Sequence, residues 1–497
     1  MDPKGLRALI AQLSTDGEIV VVSNREPWVH QRVSGGIKAV RPAGGMVVGL
    51  EPIVRAAQGT WIAHGSGSAD RSVSDPEGRI RLPPGKEEYT LRRVWLTRRE
   101  EEGYYYGISN RALWPLCHIV YTRPRFSRKD WEIYREVNQK FCDTVLEEVG
   151  SKEAVVFIQD YHLALLPRML KEARPDLKII QFWHIPWPNS EAFRIFPWGE
   201  ELLDGLLGND LMGFHIQHHC NNFLDTIATS LEAMVDLDLF RVFRGGRATY
   251  VRPFPISVDF HQIERDAESP EVVQAREDIT RELGAAAGAT RLFVGADRID
   301  YTKGIPERLR AFDLLLERHP ELRARVNFVQ LAAPSRTHVK EYRDLNEELD
   351  DMVDEINWRH QTEDWVPIHF LRAQHDHHAV LASFRMADVL LVTSLHDGMN
   401  LVAKEFVAAR TDGDGVLILS KYTGSARELG GALLVNPFDA DQLADAMYAA
   451  YRMPGEERLQ RMAGMRERVA ANDVFDWATR IIVEADECLR LETPPLR

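Results

Sequence analysis

At 497 residues, with 44% hydrophobic and 27% charged side chains, the chain is long enough for two or three domains and has the make-up of a soluble globular protein. A net charge of −14 excludes nucleic acid as the main partner, though not a local basic pocket for a phosphorylated substrate. Cys117, Cys142, Cys220 and Cys488 are scattered without a C-x-x-C pair, which excludes a disulfide framework and a zinc knuckle and points to a reducing cytoplasm. Met1 to Gly17 carries charges and no secretory apolar core, and no apolar run approaches the length of a membrane span.

In chain order, Glu18 to Asn24 reads as a short buried strand, with Arg25 directly after it. Two glycine pairs follow, Gly35-Gly36 and Gly44-Gly45, and then a helical pattern from Met46 to Val54. This strand, loop and helix lack the G-x-G-x-x-G spacing of a dinucleotide fingerprint, and Gly65-Ser66-Gly67 is equally weak. Further strands are predicted over residues 117–122, 154–159, 178–183 and 211–214, with helical patterns such as 131–149 and 164–173 between them. Pro253 and Pro255 break the pattern, and a charged stretch follows to about Arg281. That sets the domain junction: residues 1–257 form a first domain and 258–473 a second, whose strands are expected at 291–295, 326–331, 368–371, 387–393, 416–419 and 432–435. Residues 474–497 read as a helix that packs back on the first domain. Alternation of this kind gives an α/β fold of two Rossmann-like, doubly wound domains facing across a cleft at the carboxyl ends of both sheets.

The polar candidates stand just after predicted strands. Asp397-Gly398-Met399-Asn400-Leu401-Val402-Ala403-Lys404-Glu405 joins a strand to a helix, and such a turn offers backbone N–H groups and a positive dipole end to a phosphate. Asp397 and Glu405 can reach sugar hydroxyls on either side. The sharper reading is a nucleotide-sugar site; the plainer one is an acidic cap on an ordinary junction. In Asp297-Arg298-Ile299-Asp300-Tyr301-Thr302-Lys303-Gly304, Arg298 and Lys303 suit a leaving diphosphate, or else pair with Asp297 and Asp300 in solvent. Arg336 and Arg25 are further phosphate candidates. Asp160 either binds a sugar hydroxyl or caps the next helix, and His184, held by Pro186 and Pro188, is either functional or structural. His215, His218, His219 and Cys220 on an apparent polar helix face, and His375, His377 and His378, have ligand-like spacings without a second cluster, so no metal is expected. Asp236-Leu237-Asp238 is set aside because it lies outside any predicted strand end.

Taken together, VVVSNR at 20–25, AGG at 43–45, SNRALWP at 109–115, QDYHL at 159–163, HIPWP at 184–188, DRIDYTKGIPER at 297–308, PSR at 334–336 and DGMNLVAKEFVAA at 397–409 resemble the trehalose-6-phosphate synthases. These are retaining glycosyltransferases of the GT-B fold and family 20, and the resemblance runs from about Ile19 to about Trp477. It implies a diphosphate on Gly44, Gly45, Arg298, Lys303 and the backbone of Gly398, Met399, Asn400, Leu401 and Val402. Glu405 would hold the ribose, Asp397 and His184 the transferred glucose, and the backbone near His375 the base. Arg298, Lys303, His184 and Asp397 form the implied catalytic set. The acceptor phosphate would meet Arg25, Tyr105 and Arg336, with Trp114 and Asp160 lining its pocket. The implied reaction moves glucose from a nucleoside-diphosphate glucose to glucose 6-phosphate, giving α,α-trehalose 6-phosphate, without a metal or other cofactor. A homo-oligomer with no membrane partner is expected, and no phosphatase domain after the second unit.

One departure stands out: His64 occupies a place where many members carry a second tryptophan, bordering the acceptor pocket. Arg25-Glu26-Pro27-Trp28 and the longer insert before Gly44 are similar to the glucosylglycerol-phosphate synthases, which use glycerol 3-phosphate, whereas His162, HIPWP and Met399 follow the trehalose pattern. A non-catalytic sugar-phosphate sensor is a further reading, opposed by intact Arg298, Lys303, Asp397 and Glu405. The nucleobase leaves no mark in the side chains.

Overall fold

The computed structural model describes Ala8 and residues 18–41, 45–283, 290–336 and 338–492. Gly44 and the rest of the 1–17 segment lie outside the described residues. The chain divides into two compact units, Met1–Ile256 with Val474–Arg497, and Ser257–Asp473.

The first unit begins with β1 (Glu18–Arg25), a hairpin of β2 (Val29–Val33) and β3 (Gly36–Val40), helix α1 (Gly45–Ala57), β4 (Thr60–His64), β5 (Arg79–Leu82) and β6 (Tyr89–Val94). After α2 (Arg128–Val149) come β7 (Ala154–Gln159), β8 (Lys178–Phe182), β9 (Leu211–Phe214), β10 (Met234–Asp236), β11 (Arg241–Arg244) and β12 (Arg247–Pro253). Among the described residues ten strands form one sheet in the order β10-β11-β12-β9-β8-β7-β1-β4-β6-β5. From β12 to β6 every neighbouring pair is parallel, and only the two edges are antiparallel. Every residue of β7 (AVVFIQ) is buried, as a central strand covered on both faces requires. The C-terminal helix Val474–Glu492 packs on α1, where Gly49 lets it approach: a Cβ there would lie 2.8 Å from Val474. Its Trp477 is fully buried against the rings of Phe157 and Phe182.

The second unit runs through α3 (Pro270–Leu283), β13 (Arg291–Arg298), α4 (Ile305–Arg318), β14 (Val326–Ala333), α5 (Lys340–His360), β15 (Ile368–Leu371) and α6 (His377–Met386). It continues with β16 (Val389–Val392), α7 (Leu401–Ala409), β17 (Val416–Ser420) and β18 (Leu433–Val435). The sheet order is β15-β14-β13-β16-β17-β18, parallel throughout. Alternate residues serve opposite cores: Phe293, Phe328, Leu391 and Ile418 face one, and Val294, Val329, Leu390 and Leu417 the other. The order reverses between β13 and β16. A sheet splits its connections to opposite faces at that point, so the loops after these two strands diverge and leave room for a ligand.

The structure corrects three sequence expectations. Residues 117–122 are not a strand: Trp114–His118 is a helical turn, and Ile119 and Tyr121 take φ of 52° and 64°. The run Cys-His-Ile-Val-Tyr-Thr is short and apolar, and at that length burial alone does not separate helix from strand. Asp236, of the Asp236-Leu237-Asp238 motif, does end a strand; its carboxylate is consumed by the turn, accepting from the N–H groups of Asp238 and Leu239 and from the Arg241 guanidinium. His215, His219 and Cys220 do not lie on a polar face: His215 precedes the helix Gln217–Ser230, and all three are buried. The structure also adds the β2–β3 hairpin, turned by Gly35 and Gly36 at φ of 112° and 145°, where only glycine is unstrained.

Candidate active site

In the second unit the site grows from the ends of β13 and β16. Lys303 Nζ donates to Asp397 Oδ2 at 2.5 Å, so one side chain from each loop bridges the space between them. Asp397 Oδ2 also accepts from Ser394 Oγ and Asn400 Nδ2, both at 3.3 Å. Asn400, at φ 70°, caps α7: its Oδ1 accepts the Ala403 N–H at 3.3 Å. The N–H groups of Leu401 and Val402, in the first turn of that nine-residue helix, have no acceptor within the helix. Gly424 allows a close approach from the other side, since a Cβ there would collide with the Gly398 carbonyl oxygen.

Arg298 and Arg336 share one buried carboxylate. Asp300 Oδ2 lies 3.1 Å from Arg336 Nη1 and 3.9 Å from Arg298 Nη2, and it accepts from Tyr342 OH at 3.1 Å. Asp300 Oδ1 accepts from the N–H and hydroxyl of Thr302. Burial alone would raise the Asp300 carboxyl, but Arg336, Arg298 and the Thr302 N–H outweigh it and hold it below the usual range. Arg336 sits at φ 45°, a conformation tolerated where surrounding contacts impose it. Asp297 pairs elsewhere, with the fully buried Arg308 at 2.9 Å, and Arg308 also bonds Gln330 and Thr393. That guanidinium ties β13 and β14 to Thr393, the residue after β16.

Glu405 lies farther along α7, and burial pushes its carboxyl up to about 7. His375 donates from Nε2 to the Leu371 carbonyl at 3.0 Å. It lines a groove of about 640 Å³ with Leu331, Leu371, Asp376 and the 271, 274 and 278 face of α3.

In the first unit, Asp160 follows β7 at φ 68° and ψ −179°. Burial raises its carboxyl to about 7, against the N–H groups of Tyr161 and His184 and the charge of Arg25. The His184 N–H reaches Asp160 Oδ1 at 3.2 Å. The His184 ring sits 2.9 Å from Gln159 through Nε2, and burial lowers it to about 3, so it is neutral. Arg25 ends β1 on the exposed side, with its carbonyl accepting from Ser23 Oγ. Its strand neighbour is His64, which donates from Nδ1 to the Val94 carbonyl and is kept neutral by burial. Tyr105 rides on a π-helical stretch, Glu102–Leu113, and its ring stacks on His162 at 5.7 Å and 12°. Such wide turns are uncommon and recur at functional sites. Asn110 Nδ2 donates back to the Tyr105 carbonyl and so steadies that turn. Trp114, mostly buried, lies against His118 with ring centroids 4.1 Å apart and the planes tilted by 37°.

The structure therefore brings Lys303 to Asp397 and Arg298 to Arg336 in one unit, and His184 to Asp160 in the other. Sequence reasoning missed Ser394, Gln159 and Tyr342 as partners. Gln159 was legible as a polar residue closing an apolar strand; Tyr342, on α5, gave no signal.

The chain is similar to known proteins along nearly its whole length. A family model described as glycosyltransferase family 20 matches residues 17–487. Trehalose-6-phosphate synthases of Mycobacterium sp. (strain JLS) and Mycobacterium avium (strain 104) are 39% and 38% identical, covering 94% and 96% of this chain and 95% and 97% of their own. A solved trehalose-6-phosphate structure from E. coli, bound with UDP-2-fluoro glucose, has TM-score 0.84 at 31% identity over 95% of this chain and 99% of that one. A UDP-forming α,α-trehalose-phosphate synthase from Burkholderia xenovorans in complex with glucose-6-phosphate has TM-score 0.83 at 32% identity, covering 94% of this chain and 99% of that one. Identity and coverage of this order, with the same two α/β units, show that the chain belongs to glycosyltransferase family 20.

Proposed function

We propose that this glycosyltransferase moves glucose from a nucleoside-diphosphate glucose to glucose 6-phosphate with retention, forming α,α-trehalose 6-phosphate. The observation that carries the reading is the meeting of Lys303 with Asp397 beside the N-terminus of α7. A cation, a sugar-binding carboxylate and free helix N–H groups then stand together at the strand-order reversal. The relatives named as trehalose-6-phosphate synthases support the same substrates.

On this reading Arg298, Lys303, Gly45 and the N–H groups from Gly398 to Val402 hold the diphosphate. The C1–O bond to the diphosphate breaks with its electron pair going to the phosphate oxygen, so fixed positive charge around that oxygen is the largest available stabilisation. The acceptor hydroxyl bonds to C1 on the same face and passes its proton to the departing phosphate oxygen. Glu405 takes the ribose hydroxyls, and Asp397 and His184 those of the glucose. The base takes the groove beside His375. Arg25, Tyr105 and Arg336 meet the acceptor phosphate, and Asp160 and Trp114 its sugar.

The test is to incubate the protein with UDP-, GDP- and ADP-glucose against glucose 6-phosphate and glycerol 3-phosphate and identify the products. Trehalose 6-phosphate is expected. A product formed only from glycerol 3-phosphate would replace the acceptor, and no transfer from any donor would refute the reading.

A further inference from the structure

Gln159 closes β7 with its side chain fully buried, and its amide has an unusual distribution of contacts. Oε1 lies 2.9 Å from His184 Nε2, while the buried Nε2 of Gln159 has no hydrogen-bond partner among the described residues. Burying an amide with half its bonding capacity unmet is costly, and the five residues before it, Ala154 to Ile158, are all apolar. A methionine would fill the same space without that cost, so the use of the amide is its contact with His184.

The backbone of His184 is fixed from both sides. Its N–H goes to Asp160 Oδ1 at 3.2 Å, and its carbonyl accepts from His215 Nε2 at 3.0 Å. The ring lies edge-on to Phe182 at 4.7 Å and to His215 at 5.7 Å. Among the described residues Nδ1 of His184 has no bonded partner, so Gln159 makes the ring's one polar contact. A neutral imidazole carries its proton on one nitrogen or the other, and the neighbour of each nitrogen decides which.

We propose that Gln159 is a positioning residue that fixes the tautomer of His184: Oε1 accepts the Nε2–H, and Nδ1 is left as a lone pair. That this lone pair receives a hydroxyl of the transferred glucose rests on the function proposed above; the tautomer does not.

The experiment is nitrogen NMR of the full-length protein labelled at histidine, with a His184→Asn spectrum to assign the signal, alongside steady-state kinetics. The wild type should show a single Nε2–H form of His184. Gln159→Met should give a mixture of tautomers and lower kcat about tenfold, the worth of one hydrogen bond in the transition state, with both KM values little changed. Gln159→Glu keeps the acceptor and adds a charge that favours imidazolium, so its kcat should recover towards wild type only as pH rises and the ring loses its extra proton. A loss of packing alone would give neither the tautomer change nor that pH-dependent rescue. An Nδ1–H wild type, or Gln159→Met with an unchanged tautomer, overturns the proposal; a changed tautomer with unchanged kcat overturns its link to the sugar. If the wild type forms no trehalose 6-phosphate, the functional reading fails while the spectrum still decides the tautomer.

Discussion

Lys303 and Asp397 hold each other at 2.5 Å, and each also has a proposed task towards the donor. On the proposed reading a diphosphate, which carries more charge than one carboxylate, would draw the ammonium and leave Asp397 to sugar hydroxyls. Lys303→Ala should therefore lower kcat by about a hundredfold, the loss found on removing one preorganised donor. Near-normal turnover would remove Lys303 from the leaving-group site. Arg336 needs a gentler change, because alanine would strand Asp300, fully buried, with a guanidinium 3.9 Å away. Arg336→Lys keeps the charge and loses the fork; KM for the phosphorylated acceptor should rise at least about tenfold with donor KM unaltered. Glu405 gives a pH signature. Burial holds its carboxyl near 7, and in the proposed ribose contact only the ionised form would accept from both hydroxyls. Donor KM should fall as pH rises through about 7, and Glu405→Gln should flatten that dependence.

At the scale of elements, the β2–β3 hairpin is held by a buried polar cluster next to Arg25. Arg93 bonds Glu26 at 2.7 Å, Asp70 at 3.0 Å and the Trp28 carbonyl at 3.1 Å, while the His30 N–H donates to Asp70. All four side chains are buried, so Arg93→Met, which leaves two carboxylates without their cation, should cost about 3–5 kcal/mol in urea unfolding. Burial, with Asp70 beside it, raises Glu26 from 4.5 to about 7. The folded state then binds more protons than the unfolded one between those values, so this contribution to stability is full below about 4.5 and is lost as pH rises towards 7. Glu26→Gln should flatten the decline. Clusters of this kind explain what the sequence could convey. Buried parallel strands are legible because both faces must be apolar, and the candidate residues are legible because they follow such strands. Arg93 and Arg308 are not: a buried arginine is spelled like a surface one, and the partners of Arg93, Glu26 and Asp70, lie 67 and 23 residues away from it, while those of Arg308 lie on β13, on β14 and just after β16. Residues 117–122 failed for the opposite reason, since tertiary packing overrode β-propensity in a run too short to resist it.

For the whole molecule, the division into two compact units places Arg298, Lys303, Asp397 and Glu405 of the proposed donor set in the second unit, with Arg336 of the acceptor set, and Arg25, Tyr105, Trp114 and Asp160 of the acceptor set in the first, with His184 of the donor set. Ligands that bind only the folded state raise its stability by mass action, about 2.7 kcal/mol at a hundred times the dissociation constant. The proposed division of labour therefore predicts a crossed pattern in thermal unfolding. UDP should raise the midpoint of the wild type and of Arg25→Ala, but not of Lys303→Ala. Glucose 6-phosphate should raise that of the wild type and of Lys303→Ala, but not of Arg25→Ala. The substitutions touch different sheets, so a general loss of stability would lower all midpoints without crossing the two ligands. Lys303→Ala protein that still gains the full UDP shift would move the diphosphate away from the junction of β13 and α7, and with it the proposed donor roles of Arg298, Lys303 and Asp397.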